Sequence, residues 1–211
     1  KSLGAPRDTV FHVLNSRHLP ARRLHVDWAE QVCRDPERHI HRFSSHLYVM
    51  WNSKAGLTQQ VAQASDFRHL FWVDAGYVRS WRTERALSSF PHNGQMRALE
   101  DGSVHFLSVN AFSNQEIASR ERAQPHEMVG KVRVGGGMFG GSPEAWSRFT
   151  PHYELGLEQW SQSGQFVGKD QNVFAALILR RPDLATAWAA RSRFGDRWFD
   201  LPASLGHRRA A

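Results

Sequence analysis

Phe71-Trp72-Val73-Asp74-Ala75-Gly76, with Arg79 just beyond, is an apolar run that ends abruptly in a carboxylate and a glycine. A short unbroken run of Phe, Trp and Val is what a strand covered on both faces looks like, and the Gly-Tyr-Val-Arg exit favours strand over buried helix. In open α/β sheets ligands gather at the carboxyl ends of strands, so this reading delivers Asp74 to a rim. There it either contacts a ligand or metal, or caps the following turn.

Upstream of that strand, Ser44 or Ser45 can cap a long helix in which Leu47, Met50 or Trp51, Lys54, Leu57, Val61 and Ala64 recur at spacings of three and four. Gly56 weakens it by about 1 kcal/mol relative to Ala. Earlier, Trp28, Val32 and Cys33 share one face of a helix that stops before Asp35-Pro36, and residues 9–14 form a short strand candidate. Downstream, residues 80–93 are polar, with Pro91 and Asn93-Gly94 as turn signals, and read as a loop over the end of the sheet. Residues 104–109 and 131–134 are the next strands. The second runs straight into Gly135-Gly136-Gly137-Met138-Phe139-Gly140-Gly141.

Ser142-Pro143-Glu144 opens a helix with a capping hydroxyl, a proline at the first position and an acid in the first turn. Its stripe is Trp146, Phe149 or Thr150, Tyr153, Leu157 and Trp160 or Ser161, with Pro151 expected to kink or split it and Gly164 to close it. Asp170 can cap a further helix carrying Val173, Phe174, Leu177 and Ile178 and ending at Arg180-Arg181-Pro182, and residues 198–201 form a last strand. Strands alternating with helices predict an α/β sheet, and 211 residues suit one domain spanning 1–211.

Hydrophobic residues make up 41% of the chain, with eight Trp and thirteen Phe, far from the composition of a disordered segment. The single cysteine, Cys33, rules out an internal disulfide framework and a thiolate zinc site. The net charge of +7 comes almost entirely from Arg, whose planar forks suit phosphates and carboxylates. The charges are scattered among acids rather than gathered in a stripe, so nucleic acid is not the expected partner. No run approaches the roughly 18 apolar residues of a membrane span, and the first residues lack the apolar core of a signal peptide. Lys1 is not an initiator Met, which fits a processed chain or a fragment; a cytoplasmic and a lumenal Golgi location both stay open.

The glycine run contains Gly135-x-Gly137-x-x-Gly140 between a strand and a helix, formally the dinucleotide fingerprint. No acid-tipped strand follows about 20 residues later, and no Gly-Lys-Ser/Thr makes a phosphate loop. What the run offers is close ligand approach to the backbone beside a helix start. The histidines at 39, 41, 46 and 126 lack ligand spacing, and no Gly-x-Ser-x-Gly elbow anchors hydrolase chemistry.

Four blocks in order, residues 47–54, residues 71–76 with Arg79, residues 136–141 and Gly168-Lys169-Asp170-Gln171, resemble the HtrL/YibB family over roughly residues 25–181, with a weakly matched tail at 182–211. That family looks like a branch of the GT-A glycosyltransferases, which transfer a sugar from a nucleotide-sugar donor to a glycan or glycoconjugate acceptor. The resemblance implies a single GT-A-like domain: a mixed, mainly parallel sheet flanked by helices, with the first βα unit incomplete or lacking. It implies donor contacts from Asn52, Lys54, Asp74, Gly76 and Arg79. An acceptor and sugar pocket would come from Gly136, Gly137, Phe139, Gly140, Gly141, Lys169 and Gln171, and Asp74 and Asp170 would be catalytic. GT-A enzymes usually place an Asp-x-Asp pair on a divalent cation, Mn²⁺ or Mg²⁺. Here the pair reads Asp-Ala-Gly, so a metal at Asp74 would draw its other ligands from the diphosphate or water. The alternative reading is a non-catalytic glycan- or anion-binding domain of the same fold with a degenerate metal site.

Overall fold

The central apolar run does form a strand, β1 (Leu70–Val73), and its neighbours are β2 (Val104–Ser108), β3 (Val134–Gly141) and β4 (Ala185–Ala189). The computed structural model describes residues 15–88, 90–191 and 197–206, so the strand expected at 9–14 lies outside the described residues. The helices are α1 (Trp28–Arg34), α2 (Arg38–His41), α3 (Ser45–Gln63), α4 (Trp81–Ser88), α5 (Asn93–Ala98), α6 (Asn114–Ala118), α7 (Pro143–Gln162), α8 (Asp170–Arg180) and α9 (Leu201–Ser204), with short 3₁₀ turns between. Among the described residues no helix is long and apolar enough to cross a membrane.

The strand order is β1-β3-β2-β4. β3 runs antiparallel to both β1 and β2, and β2 pairs in parallel with β4. The expectation of a mainly parallel sheet is therefore corrected to a mixed one. The reason lies in the connections: β1, β2 and β4 point the same way, and β3 inserts between β1 and β2 in the opposite sense, converting what would be a parallel pair into two antiparallel ones. One edge of the sheet consequently collects the carboxyl ends of β1, β2 and β4 together with the amino end of β3.

Helices α3, α7 and α8 cover one face. Val104, Phe106, Phe139 and Ala187 from the sheet meet Trp146, Phe149 and Phe174 there. The ring centroids of Phe106, Phe139 and Phe174 lie 4.9 Å from one another, within the range of favourable aromatic packing. On the other face Leu107, Met138 and Trp188 pack with Leu201 of α9, Leu87 of α4 and Met96 of α5.

Several helices follow the sequence closely. The Ser44 hydroxyl accepts from the Leu47 N–H to start α3, and the Ser142 hydroxyl accepts from the Ala145 N–H to start α7. Gly164 closes α7 at φ +83°, a left-handed conformation natural to glycine. Gly56 does not interrupt α3, because the Pro20 ring sits against it: a Cβ there would lie 2.6 Å from that ring. Pro151 does not split α7; it lies on the exposed face, and the carbonyl left without its donor belongs to exposed Ser147.

Other expectations fail for identifiable reasons. The buried stripe of α3 is Tyr48, Val49, Asn52, Ser53, Ala55 and Gly56 alongside Lys54, whereas Met50 and Val61 are exposed. Internal hydrogen bonds make those polar side chains acceptable in the core, and apolar periodicity is blind to that. Within the stretch expected to be a loop, residues 81–88 form α4 and α5 begins at Asn93. The His92 Nδ1 accepts from the Gly94 N–H while the Gln95 Oε1 accepts from the His92 N–H, a reciprocal cap hidden behind the turn signal. Residues 131–133 are not strand: Val132 sits at φ +42°, held by Lys131 and Arg133, both 3.0 Å from Glu116, and by the Asn110 amide donating to its carbonyl. The expected strand at 198–201 is 3₁₀ and α9, and the last strand is instead the alanine-rich β4, whose place is set by burial rather than propensity.

One anchor under α3 gives a stability prediction. The Tyr48 hydroxyl donates to Asp35 Oδ2 at 2.5 Å in a buried setting. Tyr48→Phe leaves that carboxylate oxygen without its partner and is expected to lower unfolding free energy by about 1–3 kcal/mol. A urea midpoint unchanged from the parent would refute this role.

Candidate functional site

Lys54 stands at the centre of the site. It projects from the buried side of α3 toward the shared sheet edge, where its ammonium lies 3.1 Å from Asp170 Oδ2 and 3.3 Å from Asp74 Oδ1. It also donates to the Gly136 carbonyl at 2.8 Å. Three sequence blocks expected to converge, around Lys54, Asp74 and Asp170, therefore meet on one ammonium, with the glycine run as the fourth contributor.

Each element has a reason to be there. Asp74 follows the last residue of β1, and its N–H donates to the Gly137 carbonyl at 2.8 Å, which ties the strand end to β3. Trp72 and Asp74 are two apart in extended chain and so share a side, and the indole N–H donates to Asp74 Oδ1 at 2.7 Å. This positioning role of Trp72 was missed, although the spacing itself could have suggested it. The glycine run is not a loop between strand and helix but β3 itself. Opposite β2, its ladder jumps from His105↔Gly140 to Leu107↔Gly135, a bulge that places the Gly136 carbonyl within reach of Lys54.

The charges are graded by depth. The side chains of Lys54 and Asp170 are only 4% and 6% exposed, whereas that of Asp74 is 42% exposed. Burial opposes the charge on Lys54, but Asp170 and Asp74 together hold its pKa above the ordinary lysine value. Burial pushes the Asp170 carboxyl up; Lys54 pulls it back, Asp74 adds repulsion, and the net direction is upward. The arrangement is a fixed cation backed by a buried acid, with a second acid turned toward solvent.

Gly136 and Gly137 belong to this site. A Cβ at Gly136 would lie 3.1 Å from Asp170 Oδ2, and one at Gly137 would lie 3.2 Å from the Tyr77 ring and 3.7 Å from Asp74 Oδ2. Gln171 flanks Gly136, and its N–H donates to Asp170 Oδ1 at 2.8 Å; Asp170 is the first residue of α8 rather than its cap.

The remaining candidates lie apart from Lys54. The Asn52 amide donates to the carbonyls of Tyr48, Val167 and Gly168 and accepts from the Tyr153 hydroxyl, so it stitches α3 to the turn before α8. Phe139 faces the aromatic core, and Gly140 and Gly141 are hemmed by Phe71, Leu70 and Ser103 rather than open to a pocket. Lys169 is paired with Glu37 and lies over the Phe43 ring. Gly76 is exposed in the turn after Asp74, and the Arg79 guanidinium donates back to its carbonyl at 2.8 Å while stacking on Phe199.

Among the described residues no three His, Cys, Asp or Glu side chains gather as metal ligands would. The oxygens of Asp74 are already engaged by the Trp72 N–H and the Lys54 ammonium, so the donor set does not fit a resident divalent cation. No protein-family model matches the chain, and comparisons with curated proteins and with solved structures give no significant match.

Proposed function

We propose that this chain is a nucleotide-sugar glycosyltransferase of GT-A type, acting on a glycan or glycoconjugate acceptor. The observation that carries the reading is the meeting of Asp74, Lys54, Asp170 and the Gly136 carbonyl at one edge of the sheet. It draws together the blocks that resemble the HtrL/YibB family.

In this reading the donor diphosphate lies at the rim, where Arg79 supplies positive charge in place of a protein-held Mn²⁺ or Mg²⁺ and Lys54, buried behind Asp74, acts only through its field. Gly136 and Gly137 carry no side chain, which lets Asp170 and Asp74 pack closely against the β3 backbone at the rim where the sugar would sit. The acceptor hydroxyl oxygen attacks the anomeric carbon as the bond from that carbon to the diphosphate oxygen breaks. Its proton passes to the exposed carboxylate of Asp74, and the nucleoside diphosphate departs with the bonding electrons. Asp170, buried behind Lys54, is a positioning residue that fixes the ammonium rather than a base in contact with substrate.

The test is saturable binding of a UDP-sugar to the full chain, followed by donor-dependent transfer to a glycan acceptor mixture. Asp74→Asn is expected to lower transfer by about 100-fold or more while leaving donor binding within a few-fold of the parent, as loss of a general base does. No binding of any nucleotide sugar by the intact chain would remove the proposal. A second reading, a non-catalytic glycan- or anion-binding domain, is favoured by one feature: Lys54 occupies the side of Asp74 where a cation would sit. Saturable binding by the parent chain with no transfer to any acceptor would support it instead.

A further inference from the structure

Helices α4, α5 and α9 line a shallow, open cavity of about 340 Å³ on the face of the sheet opposite α3, α7 and α8. Arg82, Arg85 and Arg191 line it together with His92, Gln95 and Trp81, and among the described residues no carboxylate lines it. Arg82 and Arg85 are three apart on α4 and so share a face, a like-charge spacing that disfavours the helix unless an anion offsets it.

The Arg82 and Arg85 side chains are exposed. Among the described residues neither Arg82 nor Arg85 makes an ion pair; Arg82 lies 5.5 Å over the ring of Trp81, which is itself 65% exposed. Arg191 is anchored, its Nη1 donating to the Ala203 carbonyl at 3.2 Å, so it forms a wall rather than a free arm. Because the His92 Nδ1 accepts from the Gly94 N–H, its neutral ring carries the proton on Nε2, a further donor. Gln95 is buried with its Oε1 accepting from the His92 backbone N–H, which fixes the main chain that carries the ring. Arg forks on one helix face, beside a lining without carboxylates among the described residues, suit tetrahedral oxyanions.

We propose that this cavity binds a small ligand through a phosphate or sulfate ester group, held by Arg82 and Arg85 and seated against Trp81. Its volume is at the small end for ligand pockets, which run from about 300 to 1,000 Å³, and suits a single-ring ester. The site is separate from the Lys54 cluster and does not depend on the reading of that cluster.

The experiment titrates the full chain with inorganic phosphate, pyrophosphate and sulfate, replacing chloride at constant ionic strength. Calorimetry and tryptophan emission are both followed. Phosphate or sulfate is expected to bind saturably, to draw Arg82 from the indole, and to change emission in the parent but not in Trp81→Phe. Arg82→Ala with Arg85→Ala, both on the exposed side of α4, is expected to weaken binding at least tenfold with an unchanged circular dichroism spectrum, and Asp74→Asn is expected to leave it unchanged. A hexose phosphate and a hexose sulfate then identify the source of the ester, and binding of either one supports the site. Binding no stronger than chloride, or binding lost in Asp74→Asn and kept in the double Arg variant, overturns it. Loss of nucleotide-sugar binding alone would bear on the Lys54 site and leave this one standing.

Discussion

Replacing Lys54 with Met is expected to destabilise the fold by about 3–5 kcal/mol at neutral pH, because it leaves the buried Asp170 carboxylate without its counter-charge. Met keeps the length and apolar stem of the side chain, so the loss reports the ammonium rather than a cavity. The pH dependence carries the sign. The Lys54 pKa is raised above 10.5 in the folded chain, so its contribution is complete below that value and fades as pH climbs through the raised one. The Asp170 pKa is raised above 3.8, so the penalty for charging it in the fold is absent in acid and grows as pH passes upward through its folded value. The gap between parent and variant should therefore be widest at neutral pH and narrow toward both extremes. Urea unfolding followed by tryptophan emission measures it. Adding Asp170→Asn to Lys54→Met should restore most of the loss, since the pair couples directly. A loss below about 1 kcal/mol, or a double variant no better than the single, would mean that Asp170 is not charged beside Lys54.

The legible part of this site was its chemistry by type and order. Asp74 at a strand end, Lys54 on the preceding helix and Asp170 at the next helix start are each set by local pattern: an apolar run that stops, a helical repeat, a helix beginning. The role of each was less legible, because it depends on depth. Nothing in the spacing distinguishes the half-exposed Asp74 from the buried Asp170, and that difference decides which acid faces solvent. The α3 stripe shows the same limit: its buried face carries Asn52, Ser53 and Lys54, made tolerable by partners more than 80 residues away or by the helix backbone. β4 shows the converse, an Ala-rich strand fixed by its parallel partner β2 rather than by its own composition.

The glycine run separates these influences within seven residues, and the expected result is sharply unequal. Gly140→Ala is expected to destabilise by about 3 kcal/mol, because overpacking a filled site forces backbone to move. A Cβ there would lie 2.3 Å from the Phe71 ring and 2.5 Å from the Leu70 carbonyl oxygen, and the second of these is main chain on the paired strand, which cannot rotate away. Gly136→Ala faces only the Asp170 carboxylate at 3.1 Å and the Gln171 side chain at 3.2 Å, and both can yield by a few tenths of an ångström. Its unfolding free energy is expected to stay within about 1 kcal/mol of the parent, since Ala also recovers some of the entropy that glycine loses in a strand. The run thus contains two kinds of glycine that look alike in sequence. Gly140 is small because strand β1 leaves no room, and Gly136 is small beside a carboxylate held by Lys54. Urea unfolding of the two variants tests the division directly. Equal losses would mean that the whole run is packing, and would withdraw Gly136 from the proposed site.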